Sequence, residues 1–332
     1  MKYPFPTKIQ YQAAEDGAHL VHCWSDDETV SLPPQVNGLP VTEIDSYAFS
    51  LTDSAEYHRA QKRNLQTALK ETLFHSSSCT PIGGDRLTAV ELPDGVKGIG
   101  DYTFYNCRNL HSLRLTDSVC SIGDGAFKNC EKLTEIVLTC QSGSTVCLHR
   151  LAAEIQHEMQ VSIRYGNSDD AALCARLTFP AYYEEHVENG PARIFEWFAH
   201  GSGYRYRQCF RDGSIDYKKY DALFPAVVLE DPTGAAVRIA MGRLRFPYQL
   251  TSPHRAAYWE HLRQYSAEAL RPFIQSGDLE TIEFFAAQQL LTAENAEVFL
   301  KLASQAKQAE ILSFLLDYQH RHLRTQAKTF EL

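Results

Sequence analysis

Apolar residues in the first half of the chain return at a fixed interval. The segment from Leu87 reads LTAVELPDGVKGIGDYTFYNCRN, and the segment from Leu110 reads LHSLRLTDSVCSIGDGAFKNCEK. A third copy opens at Leu133 with LTEIVLT, so the copies are 23 residues apart. Ile99 and Ile122, Phe104 and Phe127, and Cys107 and Cys130 keep the same interval. Each copy begins L-x-x-V/L/I-x-L, which predicts a short strand with one face inward: Leu87, Val90 and Leu92, then Leu110, Leu113 and Leu115, then Leu133, Ile136 and Leu138. A second apolar step (Val96 and Ile99; Val119 and Ile122) and a glycine-bearing turn close the copy. One copy cannot bury its own apolar face, so the copies are expected to stack as a solenoid. An earlier, partial copy runs from Val30 to Ser50 with five extra residues between Val36 and Ile44.

Two stretches depart from the period. Residues 51–86 interrupt it, and AEYHRAQKRNLQTALKETLF there predicts an inserted helix on the rim, followed by a loop. After Cys140 the repeat decays into a predicted cap over about 141–165, with a helix near 147–158 and a strand near 160–165. From about Asp169 aromatic residues become dense. LTFPAYYEEHVENGPARIFEWFAH reads as one extended step and two helices split at Asn189-Gly190-Pro191. GYRYRQCFRDG alternates, predicting a strand with Tyr204, Tyr206 and Phe210 on one face and Arg205, Arg207 and Arg211 on the other. Helices are predicted over 215–229, 234–245, 253–267, 268–275, 279–290, 294–304 and 308–323, with Asp278 or Gly277 capping the fifth and Thr292 the sixth. DLETIEFF (278–285) and QAEILSFL (308–315) match at an offset of 30 residues.

The pattern L-x-x-V-x-L-P-x-x-V-x-x-I-G-x-x-A-F-x-x-C resembles the BspA-like class of leucine-rich repeats, and VNGLPVTEIDSYAF (36–49) resembles that family's entry repeat. QSGDLETIEFFAAQQLL resembles the second helix of an ankyrin-type pair, although the T-P-L-H opening is missing. The resemblance implies an α+β chain in two domains. A leucine-rich-repeat solenoid occupies 1–165, and a mixed segment leading into a mostly helical, ankyrin-like array occupies 166–332. It also implies recognition of proteins or surfaces on the outward strand positions, here Glu91, Arg114, Glu135 and Val137.

Composition narrows the function. With 332 residues, 44% of them hydrophobic, the chain can bury a sizeable core. Its formal net charge of -9 disfavours nucleic acid as a partner of the whole molecule. There is no run of 18 apolar residues and no hydrophobic leader after MKYPFPTKIQYQ, so neither a membrane partner nor export is expected. The nine cysteines, at 23, 79, 107, 120, 130, 140, 147, 174 and 209, include no CxxC pair, and no N-x-S/T sequon occurs. Together these point to reduced thiols and a cytoplasmic setting. Cys107 and Cys130, at equivalent repeat positions, read as core. Cys140, Cys147 and His149 lack further ligands for a metal, and the H-x-H at His320 and His322 reads as a solvated helix end.

GxxxxGK[ST], HExxH, GxSxG and GxGxxG are all absent. The expected function is therefore a non-enzymatic scaffold for an unidentified protein partner, with no cofactor and no metal. Two alternatives remain: anion or nucleic-acid binding through Arg205, Arg207 and Arg211, and an enzyme with a site between the two halves using His186 or His200.

Overall fold

In a computed structural model, which describes residues 3–51, 66–69, 80–166, 172–189 and 194–323, each 23-residue copy makes one solenoid turn. The chain opens with an antiparallel hairpin of β1 (Lys8–Ala14) and β2 (Gly17–Trp24), then β3 (Thr29–Ser31), β4 (Gln35–Val36) and β5 (Leu39–Ile44). After the insertion, which contributes β6 (Gln66–Leu69), the turns supply β7 (Ala89–Glu91), β8 (Gly98–Ile99), β9 (Ser112–Thr116), β10 (Ser121–Ile122) and β11 (Glu135–Cys140). The cap follows as helix α1 (Val146–Glu154), β12 (Met159–Tyr165) and β13 (Leu173–Phe179).

The long first strands of each copy stack in the order β13-β12-β11-β9-β7-β3, parallel except for β13. The second apolar steps stack as β10-β8-β5 and continue through β2 and β1 to β6. Register carries one core row across the first sheet: Val30, Val90, Leu113, Ile136, Val161 and Leu177 are aligned, and each is fully buried. The turns stack equally well. Phe49, Phe104 and Phe127 form a ladder with centroid spacings of 5.1 and 5.2 Å and nearly parallel rings. Cys107 Sγ donates to Phe49 O and Cys130 Sγ to Phe104 O, so each thiol bonds to the turn before it. Asn129 Nδ2 donates to Asn106 Oδ1 at 2.7 Å. Both asparagines have positive φ (62° and 65°), a conformation that asparagine tolerates. Gly125 also has positive φ, as do Tyr47 and Tyr102, and a Cβ there would lie 2.7 Å from the Tyr102 ring, so a side chain at 125 would have to displace that ring.

Three expectations are corrected here. The Gln66–Leu69 part of the insertion is not helical. It pairs antiparallel with β1, whose open edge supplies the backbone partners a strand requires. The rest of the expected rim helix lies outside the described residues. The segment expected as two helices is a hairpin, β14 (Tyr183–Asn189) with β15 (Ile194–His200), because its aromatic and β-branched residues suit a pleated ribbon. The predicted arginine strand is a helical turn, α2 (Gly203–Tyr206), followed by two short strands, β16 (Phe210–Arg211) and β17 (Ser214–Ile215).

The chain divides into two compact units, Met1–Tyr220 and Asp221–Leu332, a later division than the expected one near residue 165. Residues after the cap belong to the first unit because they close its last sheet edge. The Thr178 N–H donates to the Tyr220 hydroxyl, which in turn donates to Thr178 O (2.9 and 2.7 Å). Helix α3 covers Tyr217–Ala222.

The second unit holds α4 (Phe224–Glu230), α5 (Ala235–Arg245), α6 (Ser252–Gln264), α7 (Ser266–Ser276), α8 (Leu279–Ala287), α9 (Ala296–Gln305) and α10 (Ala309–Tyr318). The 30-residue offset is visible in space, since α7 and α9 begin at 266 and 296, and α8 and α10 at 279 and 309. Thr281 and Ile311, and Phe285 and Leu315, occupy equivalent buried places. Asp278 caps α8, accepting from the Thr281 N–H at 3.0 Å. At the centre of this unit Arg243 and Asp221 are both fully buried and joined at 2.7 and 2.9 Å, with the Tyr258 hydroxyl donating to the same carboxylate.

Candidate recognition surface

The positions facing away from the core row of the six-stranded sheet are fixed by the same register, and of these Ser31, Ala89, Ser112, Ser162 and Thr178 are buried. One row runs Ser31, Glu91, Arg114, Val137, Ser162, Arg176, and the next runs Thr29, Ala89, Ser112, Glu135, Gln160, Thr178. Neighbours in a row stand about 4.8 Å apart along the ladder direction. Of the residues expected to bind a partner, Glu91, Arg114 and Val137 therefore share one row, and Glu135 belongs to the other. Glu135 is exposed, while the other three are half-buried.

The chain itself occupies one end of this face. Ser31 N–H donates to Pro4 O, which holds the N-terminal segment against β3. Tyr3 then lies over the Arg114 guanidinium, 5.1 Å from ring centre to Cζ. Glu91 accepts from the Ser31 hydroxyl at 3.0 Å. At the cap end the face is open. Thr134, Glu135, Glu158, Gln160, Ser162 and Arg176 line a polar cleft of about 370 Å³. Arg176 Nε donates to Ser162 Oγ across its floor. Gln160, Ser162 and Arg176 extend the surface beyond the repeats proper. Their signal in the sequence is alternation: in MQVSIRY, Val161 and Ile163 face the core, while Gln160 and Ser162 take the opposite side, Gln160 half-buried and Ser162 buried.

Arg205, Arg207 and Arg211 do not share a face. Arg205 is exposed on α2, and Arg211 is exposed and paired with Asp216 at 2.9 Å. Arg207 is 3% exposed. Its guanidinium donates to the carbonyls of Ala152, Ile155, His157, Pro180 and Gly203, at 2.5 to 3.1 Å, and Tyr182 lies over it at 4.6 Å. Ala152 and Ile155 supply carbonyls at the C-terminal end of α1, where a cation also suits the helix dipole. Burial pulls Arg207 down to a pKa of about 10, and the nearby Tyr182 opposes this. A strand would send Tyr206 and Arg207 to opposite faces. Both are buried here, Tyr206 in the helical turn and Arg207 directly after it.

The repeat cysteines are inert by environment. Burial pushes Cys130 and Cys147 up to about 12, and Cys107 well above its ordinary value. Among the described residues no three His, Cys, Asp or Glu side chains stand together to hold a metal. His186 is exposed on β14, and His200 Nε2 meets Glu185 at 3.0 Å on the same hairpin. No described helix is long and apolar enough to cross a membrane.

Comparison with known proteins agrees with this geometry. Residues 82–146 match the family described as BspA type leucine rich repeat region (6 copies). Among solved structures the chain is similar to a T. pallidum leucine-rich-repeat protein, TpLRR, at 24% identity and a TM-score of 0.29, over 44% of this chain and 56% of that one. It is also similar to a leucine rich cell surface protein from Faecalibacterium prausnitzii A2-165, at 22% identity and a TM-score of 0.27, over 46% of this chain and 35% of that one. The chain thus spans little more than half of the first and about a third of the second. No curated protein matches it. The ankyrin resemblance of the C-terminal helices finds no support in these comparisons. Residues 82–146 are a BspA-type leucine-rich-repeat region, and the strands on either side continue it as one solenoid.

Proposed function

We propose that this chain is a non-enzymatic recognition module that docks a protein partner on the outward face of its six-stranded sheet. Leucine-rich-repeat regions serve as interaction or surface-binding modules, which fits this reading. The observation that carries it is the row Glu91, Arg114, Val137, Ser162 and Arg176, held in register by the sheet and ending at the polar cleft lined by Glu135 and Arg176. The row mixes signs, so it suits a specific polar and charged partner surface rather than a polyanion. With Arg207 consumed by carbonyls, the arginine route to an anion loses its central residue. A cytoplasmic setting is part of the same proposal. Its support is that Cys23, Cys107, Cys120, Cys130, Cys140, Cys147 and Cys174 are free thiols, most of them buried.

The test is quantitative affinity capture from native lysate with three forms of the chain: wild type, a face variant carrying Glu135→Arg and Arg176→Glu, and the control Lys301→Glu on α9. Proteins held by wild type and control but lost by the face variant support the proposal. An identical set on all three overturns it.

A further inference from the structure

Among the described residues, β14 and β15 pair with each other and with no third strand. A lone two-stranded ribbon is marginally stable in water, and its open edges are templates for another strand. Neither strand contains Lys or Arg, whereas β14 alone carries Glu184, Glu185 and Glu188. Register sorts the ribbon into two faces. Tyr183, Val187 and Phe198 lie on one, with Glu185, Glu196 and His200, while Glu184, His186, Glu188 and Trp197 lie on the other. Tyr183 is 61% exposed, Phe198 45% and Trp197 44%. These rings are held in place. Trp197 stands edge-on to Tyr204 at 5.1 Å, and Tyr183 stacks on His200 at 4.6 Å. The ribbon therefore shows water exposed aromatic rings and two glutamates on each face, with no Lys or Arg on either strand.

We propose that the open edge of β14 accepts an extended, Lys/Arg-rich segment of a partner protein as a third strand. Strand addition would satisfy the edge's backbone groups, and side chains alternating along the incoming segment would meet the two faces in turn. Cationic residues on one side find Glu184 and Glu188 across the ladder and the Trp197 ring nearby, and those at the edge of the other side find Glu185. Apolar residues on the other side cover Tyr183, Val187 and Phe198. A second copy of β14 is a poor occupant, because it sets glutamates against glutamates and brings together two chains of net charge -9. This surface is separate from the six-stranded sheet, so it stands or falls independently of the proposal above.

The probe is a short peptide alternating lysine and valine, titrated calorimetrically into the full chain. Two comparison peptides carry glutamate in place of lysine, or proline in place of two valines. Backbone amide exchange is followed over residues 183–189. The lysine–valine peptide is expected to bind and to slow exchange in β14, with neither comparison peptide doing so. Binding should weaken roughly tenfold in a Glu184→Gln, Glu188→Gln variant and in Trp197→Ser, both checked for an unchanged melting temperature. Equal binding of the proline peptide overturns strand addition, and equal binding by the glutamine variant overturns the charge complement. Self-association abolished by Trp197→Ser would assign the ribbon to a second copy, and vesicle binding abolished by the same change would assign it to a lipid surface. Either result overturns the proposal.

Discussion

Arg207 shows how one side chain can organise a region that its neighbours in sequence do not explain. The planar guanidinium meets five carbonyls drawn from the end of α1, the following loop, the end of β13 and α2, with the single Nε–H shared between Ala152 O and Ile155 O. Lysine offers three donors and no fork, so Arg207→Lys cannot reach all five carbonyls, of which Gly203 O alone keeps a bond from the Arg207 backbone N–H. We expect it to cost about 3 kcal/mol, with Arg207→Ala costing more. Urea denaturation of both variants checks this. Arg205→Ala, an exposed change nearby, should stay within about 0.5 kcal/mol of wild type. Nothing in YRYRQCFR announces this role, because alternating aromatic and arginine residues read equally well as a one-sided strand. What separates the readings is the set of carbonyls waiting at the end of α1, and those come from residues some 50 positions earlier.

At the scale of elements, the solenoid is held by like residues stacked on like. Phe104 sits between Phe49 and Phe127 and is fully buried, as the middle rung of the aromatic ladder. Phe104→Ala removes contacts on both sides and opens a cavity, with an expected loss of about 3–5 kcal/mol by thermal or chemical denaturation. The end rung Phe127 has one aromatic neighbour in the ladder, so Phe127→Ala should cost less, and equal costs would show that the rungs act singly. This ladder was legible from the 23-residue spacing, because a repeated sequence that must bury repeated apolar positions has one efficient arrangement. The hairpin β14–β15 was not legible. EEHVENGPARIFEWF has no turn of the length that marks a tight hairpin, and its glutamates favour a helix as readily as its aromatics favour a strand.

Across the whole molecule, each unit keeps a histidine in its interior. Burial lowers the pKa of His22 in the first unit, while its Nδ1 bond to Ala48 O at 3.0 Å works in the opposite direction. Burial also lowers that of His261 in the second, opposed by its Nε2 bond to Pro232 O at 2.7 Å. A folded pKa below the ordinary value of about 6.5 means the unfolded chain binds the proton more readily. The stability these groups contribute is complete above that value and is lost as pH falls below it. Glu43 and Glu154, raised by burial, act in the opposite sense at lower pH. The histidine effect is therefore read as a difference. Between about pH 7.5 and about pH 5.5 the melting temperature of wild type should fall more than that of a His22→Gln, His261→Gln variant. Parallel curves would show that the buried rings do not titrate in this range.

The sequence by itself determined the periodic parts: the 23-residue turns, their inward rows, the capping helix and strand, and the 30-residue helical pairs. In these, local pattern and burial agree, and each turn satisfies the next through residues at one fixed offset. Only the tertiary structure decided the rest: the insertion's strand on β1, the helical turn that buries Arg207, the extension of the outward rows onto β12 and β13, and the Tyr3 ring over Arg114. Each depends on an edge, a helix end or a face supplied by distant residues. Short-range periodicity does not encode which distant group must be satisfied, and backbone hydrogen bonding forces the answer once the pieces meet.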